Sequence, residues 1–265
     1  MLTTKNFFDI SSFRHNELFK DASPVWESLK LLKDYMADQY YPSLPDIVKD
    51  GEPLSQPVVV FENTFITGAG LTFEIKDVNK GGLRIYKDDK ILKGASLIMA
   101  GAVLNGSRIS IGKGTLVEPG AFLQSPSIIG NNTEVRQGAY IRGYCLAGSR
   151  CVIGHTTEVK HSILLDGAKA GHFAYLGDSI LGNEVNLGAG TKLANLRFLP
   201  GNIQIKAEEK DLDTGLRKCG AIVGDYSQTG CNSVTNPGTL LGKKTLILPN
   251  TTAPSGYHKD DTIIR

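Results

Sequence analysis

No glycine occurs before Gly51, although the chain carries 30 of them in 265 residues. A single globular domain spreads its glycines more evenly, so the chain has two compositional regimes. Charge of one sign is also missing. The 29 Lys and Arg residues nearly balance 27 Asp and Glu, and a net charge of +2 predicts neither a nucleic-acid nor a membrane-surface partner. No run of 18 apolar residues is present, which excludes a spanning helix of the usual kind. The N-terminal stretch MLTTKNFFDISSFRHNELF has no basic flank followed by an apolar run, so no signal peptide is expected. The four cysteines, Cys145, Cys151, Cys219 and Cys231, form no CxxC pair. Together these absences point to a reducing cytoplasm and no structural metal.

The N-terminal region, residues 1–56, whose first 50 positions hold no glycine, reads as a helical segment. Ser23-Pro24 looks like an N-cap followed by a first-turn proline, where the missing N–H costs nothing. Val25, Leu29, Leu32 and Met36 then fall near helical spacing, with Trp26 and Tyr35 widening the stripe. Tyr41-Pro42 and Leu44-Pro45 end it. Such a stripe packs on the rest of the chain or on a sister subunit.

Residues 57–265 carry a different pattern. VVVFENTFI and LTFEIKDV read as strands, and by Ile111 a six-residue period has taken over. An aliphatic or small residue recurs at Ile111, Val117, Leu123, Ile129, Val135, Ile141, Ala147, Ile153, Val159, Leu164, Ala170, Leu176, Leu181, Leu187 and Leu193; two of these fourteen steps are five residues long. Each hexapeptide is one short strand plus a corner, and three close a triangular coil. The aliphatic residue points inward and stacks on its counterpart one coil away, roughly 4.8 Å distant. The expected fold is mainly β, a left-handed parallel β-helix of hexapeptide repeats. Residues 196–220 break the period, which resumes at Val223, Thr229, Thr235, Leu241, Ile247 and Ala253. An excursion of this length is a loop over one face or a functional arm, and its charge favours the arm.

The register maps side chains onto three faces. With the Ile141 repeat on face A, Val159, Leu176 and Leu193 also open A-face strands, while Ile153, Ala170 and Leu187 open C-face strands. Arg142 and Lys160 then stack one coil apart on face A. Two adjacent cations repel unless an anion or a carboxylate joins them, an arrangement suited to a phosphate. Glu158 and Tyr175 stack at the C/A corner, His155 and His172 stack on face C, and Asn195 follows near the point where the chain leaves the array. Cys145 and Cys151 fall on different faces of one coil, which argues against a disulfide. Cys231 reads as a small packed residue rather than a nucleophile.

The segment EVKHSILLDGAKAGHFAYLGDSILGNEVNLGAGTKLAN closely resembles the C-terminal acetyltransferase domain of the bifunctional N-acetylglucosamine-1-phosphate uridyltransferase/glucosamine-1-phosphate acetyltransferase. NLRF, TGLRKCGAIVGD and TGCNSVTNPGTLLG look more like the archaeal sugar-1-phosphate nucleotidylyltransferase/acetyltransferases, and the resemblance covers roughly residues 95–255. It implies a homotrimer that binds acetyl-CoA between subunits and acetylates an amino-sugar 1-phosphate. By resemblance His172 is the general base, Arg142 and Lys160 hold the phosphate, and Glu158, Tyr175, Asn186 and Asn195 hold or orient the sugar and the acetyl group. Ala189, Cys231 and Pro249 match the coenzyme-contacting segment; Cys231 replaces a serine and Pro249 a small residue, which puts the acyl donor's identity in question. Lys206, Arg217 and Lys218 of the excursion are candidates to reach a neighbouring site. The uridyltransferase half needs a glycine-rich phosphate loop, and the glycine-free first 50 residues predict no nucleotidyl transfer. Two other readings stand beside this one. A zinc hydratase needs three convergent histidines, and His155, His161 and His172 lack that spacing. The other is non-catalytic: a trimeric scaffold, which has no need of His172, Lys160 and Arg142, or a sugar-phosphate or sugar-nucleotide binder without turnover.

Overall fold

The computed structural model describes residues 2–207 and 211–265. From Ser96–Ile98 to Ile263–Ile264 the chain winds as a left-handed parallel β-helix, as the period predicts. Among the described residues the three faces are stacked sheets of eight (A), eight (B) and eleven (C) strands. On face A the register runs Leu123↔Ile141↔Val159↔Leu176↔Leu193, one inward residue per coil. All fifteen aliphatic or small positions of the series lie in one buried inner core. Thr229 and Thr235 occupy inward positions near the C-terminal end, and the Thr229 hydroxyl pairs with that of Thr191 at 2.7 Å. Coil corners bring backbone very close to backbone. A β-carbon on Gly154 would lie 1.8 Å from the Gly171 carbonyl oxygen, so no larger residue fits there without moving a coil.

The coils do not begin at residue 57. Val58–Phe61 and Thr64–Thr67 form a hairpin that pairs antiparallel with Ser96–Ile98. Thr72–Ile75, Leu83–Lys87 and Lys90–Ile91 make a separate antiparallel sheet, whose Val78, Leu83 and Ile85 pack against Leu97 and Leu116. These residues lack the six-residue period, and they cap an array end that a solenoid would otherwise leave open.

The N-terminal segment holds one α-helix, Glu27–Ala37, and two short 3-10 turns. The helix starts later than Ser23 predicts. Pro24 is bridged antiparallel to Thr3, and Val25 donates to the Leu2 carbonyl, which holds this stretch extended. Val25, Leu29, Leu32 and Met36 are buried as expected. Their partners are Ile128, Leu146, Ile163, Ile180, Ile222 and Leu240, the outward residues of face B, joined by Phe7, Phe8, Phe13 and Phe19. The segment therefore packs on its own chain. Fully burying a side chain of this size contributes about 1.5–3 kcal/mol.

The described parts of the excursion, 196–207 and 211–220, also lie over a face of their own chain. Gln204–Lys206 and Asp211–Asp213 form a hairpin, and Ile203, Ile205 and Cys219 enter the same face-B cluster. Lys206, Arg217 and Lys218 are exposed on it. Face B is covered by these two segments, while outward residues such as Arg142, Asn186, Lys192 and Gln228 leave the later coils of faces A and C exposed.

Candidate active site

The face-A strands Tyr140–Ile141, Glu158–Lys160, Tyr175–Gly177 and Lys192–Leu193 set the site. Because Ile141, Val159, Leu176 and Leu193 point inward, their sequence neighbours face outward, and register stacks Tyr140, Glu158, Tyr175 and Lys192 in a column. Arg142 and Lys160 stack on the other side of the same ladder. Each has its own carboxylate. Arg142 Nη1 donates to Glu158 Oε1 at 2.7 Å, and its guanidinium lies 5.8 Å from the Tyr140 ring centre. The Glu158 carboxylate raises the Arg142 pKa, so this cation is permanent.

Lys160 is held by a residue that sequence reasoning missed. Its Nζ lies 3.1 Å from Asp178 Oδ2, while His161 Nδ1 lies 3.0 Å from Asp178 Oδ1. Asn195 Nδ2 donates to Asp178 Oδ2 at 2.5 Å, and the Tyr175 hydroxyl donates to Asn195 Oδ1 at 3.5 Å. Asp178 is thus the hub that joins Lys160, His161, Asn195 and, through Asn195, Tyr175. Burial alone would raise its carboxyl pKa; hydrogen bonds from His161, Asn195 and Lys160 override that and hold it below the ordinary value of 3.8. Burial raises the Tyr175 phenol, and the Glu158 and Asp178 charges add to the effect, so it remains a neutral donor near pH 7. The available signal for Asp178 was its place in AYLGD, two residues past the inward Leu176. That offset puts it at the A/B corner, one coil below Asn195, which stands two past Leu193.

The C/A corner carries the second half of the site. His155 pairs with His172 across adjacent strands. Ala170, Leu187, Thr229 and Ile247 are consecutive rungs of face C, so the residues two positions further on, His172, Ala189, Cys231 and Pro249, also form one column. Backbone bonds tie it together: Gly190 N to the His172 carbonyl at 3.0 Å, Asn232 N to Ala189 at 2.8 Å, and Asn250 N to Cys231 at 2.9 Å. The predicted base and the three predicted coenzyme-contacting residues therefore lie along one edge. His172 is exposed, and Phe173, 55% exposed, sets its ring against both His172 and His155. Only Phe173 and Ala174 separate His172 from Tyr175, so the edge adjoins the face-A cluster. Asn186 is exposed on face C, between Lys169 and Gln228, and joins neither cluster.

Cys231 is exposed rather than packed, because a corner residue two past the inward Thr229 lies outside the ladder. The other three cysteines are buried, and burial pushes each thiol up to about 12, which leaves them inert near neutral pH. The histidines separate: His161 is committed to Asp178 at the A/B corner, while His155 and His172 stack at the C/A corner. No cluster of three or more His, Cys, Asp or Glu residues with metal-binding geometry occurs among the described residues.

Residues 123–210 match the family model of the GMPPB C-terminal domain. The bifunctional sugar-1-phosphate nucleotidylyltransferase/acetyltransferase of Sulfurisphaera tokodaii is 32% identical over 151 residues, 50% of this chain and 38% of that protein. The bifunctional protein GlmU of Methanococcus aeolicus is 29% identical over 204 residues, 77% of this chain and 48% of its own. The chain resembles GlmU-type bifunctional nucleotidylyltransferase/acetyltransferases. It spans less than half the length of these two relatives. Among solved structures, the UDP-N-acetylglucosamine acyltransferase of Francisella novicida aligns over 60% of this chain and 62% of that one. The identity there is 17% and the TM-score 0.31.

Proposed function

We propose that this chain is an N-acetyltransferase that moves the acetyl group of acetyl-CoA to the amino group of an amino-sugar 1-phosphate. The observation that carries this reading is that the His172–Ala189–Cys231–Pro249 edge at the C/A corner adjoins Tyr175, the near end of the face-A surface that runs on to Arg142, Lys160 and Asn195. The edge suits an extended coenzyme lying across successive coils. The face-A cluster suits a sugar phosphate, with Arg142 and Lys160 taking the phosphate and Glu158, Tyr175 and Asn195 the sugar or the acetyl group; Asn186, on face C, stands outside it. His172 accepts the proton from the amine as its nitrogen bonds to the thioester carbonyl carbon. Collapse of the tetrahedral intermediate then breaks the carbon–sulfur bond and releases CoA. No metal takes part in this chemistry. The covered face B and the exposed later coils of faces A and C suit a homotrimer, with each site completed across a subunit boundary. No helix among the described residues is long and apolar enough to cross a membrane, and the free cysteines fit a cytoplasmic setting.

The test is acetyl-CoA consumption with a panel of hexosamine 1-phosphates, followed by thiol release and by product detection. His172→Ala is expected to lower kcat by about 10²–10⁴, and Arg142→Ala to raise KM for the sugar. Absence of turnover with every panel member refutes acetyl transfer and favours a non-catalytic sugar-phosphate binder. Undiminished turnover in His172→Ala removes the base assignment.

A further inference from the structure

A second concave surface lies at the B/C corner, away from the C/A corner just described. It encloses about 870 Å³ between the N-terminal segment, the Val58–Thr67 hairpin and the corners of successive coils. Ligand clefts are typically ~300–1,000 Å³, so a molecule of substantial size fits. Its walls carry three cations, Arg14, Lys93 and Lys113, each exposed, and none takes part in an ion pair among the described residues. The two lysines are neighbours: the Lys113 stem runs over Gly94, where a β-carbon would lie 3.6 Å from Lys113 Cδ. Two carboxylates, Glu62 and Asp166, also line it; Asp166 accepts the Ser149 amide at 2.8 Å, and the three cations outnumber the two acids.

The remaining wall mixes polar side chains, among them Gln39, Asn63 and Asn131, with aromatic and apolar ones. Tyr40 is 75% exposed and Ile91 52% exposed at this cleft, and Phe61 lines it beside them. Exposed aromatic surface beside unpaired Lys and Arg is a pairing suited to a planar heterocycle carrying phosphates. Rings stack the base, and the cations take the charge. A plain hydrophobic ligand would leave three cations unanswered, and inorganic phosphate would leave the aromatic wall bare.

We propose that this cleft is a second ligand site, built for a nucleoside diphosphate and independent of the acetyl-transfer surface. The site exists because the N-terminal segment folds along the solenoid; the coils alone supply Lys113 but not Arg14 or Tyr40.

Calorimetric titration of the full chain with UDP, ADP, GDP and pyrophosphate tests it. At least one nucleoside diphosphate is expected to bind saturably, one per chain, with affinity that falls as salt rises. The double variant Lys93→Ala/Lys113→Ala should weaken that binding about tenfold or more. Tyr40→Ala should weaken it about fivefold or more and leave pyrophosphate unchanged. Both substitutions lie at exposed positions, so the fold is expected to survive, and circular dichroism of the variants checks this. Arg142→Ala should leave binding unaltered. The proposal is overturned by any of four outcomes: no saturable binding up to about 1 mM, full affinity in the double lysine variant, pyrophosphate binding as tight as the nucleotide, or loss of binding in Arg142→Ala.

Discussion

Replacement of Asp178 tests the hub of the face-A cluster. Its side chain is 9% exposed and receives Lys160, His161 and Asn195. A hydrogen bond to a charged group is worth about 1.5–3 kcal/mol, while breaking a buried pair by removing one partner costs about 3–5 kcal/mol. Lys160 is 26% exposed and regains some water when its partner is lost, so the lower end of that range applies. Asp178→Ala is expected to lose ~3 kcal/mol. Asp178→Asn keeps the shape and one acceptor oxygen and should lose ~1–2 kcal/mol. Urea denaturation at pH 7 measures both. The sign of the pH dependence follows from the depressed carboxyl. Stabilisation is fully present above the ordinary value of 3.8 and disappears as pH falls through the lower folded-state value. The gap between wild type and Asp178→Asn should therefore close only in strong acid. Because Asp178 orients Lys160 and Asn195, the Asn variant should also raise KM for the sugar phosphate more than it lowers kcat. An Asp178→Ala protein within ~0.5 kcal/mol of wild type would refute the hub.

His15 should make stability fall in mild acid. Burial, with Arg14 nearby, lowers its pKa from 6.5 to about 4, so the folded protein keeps the ring neutral, its Nδ1 2.7 Å from the Tyr35 hydroxyl. Stability is lost as pH falls from about 6.5 through about 4, by ~3 kcal/mol in total; His15→Gln should flatten that part of the curve, and an equal slope in the variant contradicts the assignment. Gly154→Ala drives a methyl into the Gly171 carbonyl beside His172, and should destabilise by about 2 kcal/mol or more, read as a lowered urea midpoint. An unchanged midpoint would show that the coils can part there freely.

The β-helix was legible because its cause is periodic. A residue that points inward every sixth position must stack on its counterpart, so Ile111 through Leu193 specify both the fold and the register. That register placed Arg142 and Lys160 on one face and His155 above His172, and it carried Ala189, Cys231 and Pro249 onto the His172 edge. Local rules served less well at Ser23-Pro24, where a bridge to Thr3 holds the backbone extended and delays the helix to Glu27.

What the sequence alone determined, then, was the coil geometry and the alignment of residues along it, since both depend on spacing. Tertiary structure decided three things that spacing does not encode. It turned the helical stripe and the described parts of the excursion, through Ile203, Ile205 and Cys219, onto face B, where a column of outward isoleucines and leucines offered apolar surface to bury. It gave Arg142 and Lys160 separate carboxylates, because side-chain reach, not register, brings Glu158 to one and Asp178 to the other. And it set Arg14 and Tyr40 beside Lys93 and Lys113, residues from three separate stretches of chain that only the docking of the N-terminal segment brings together.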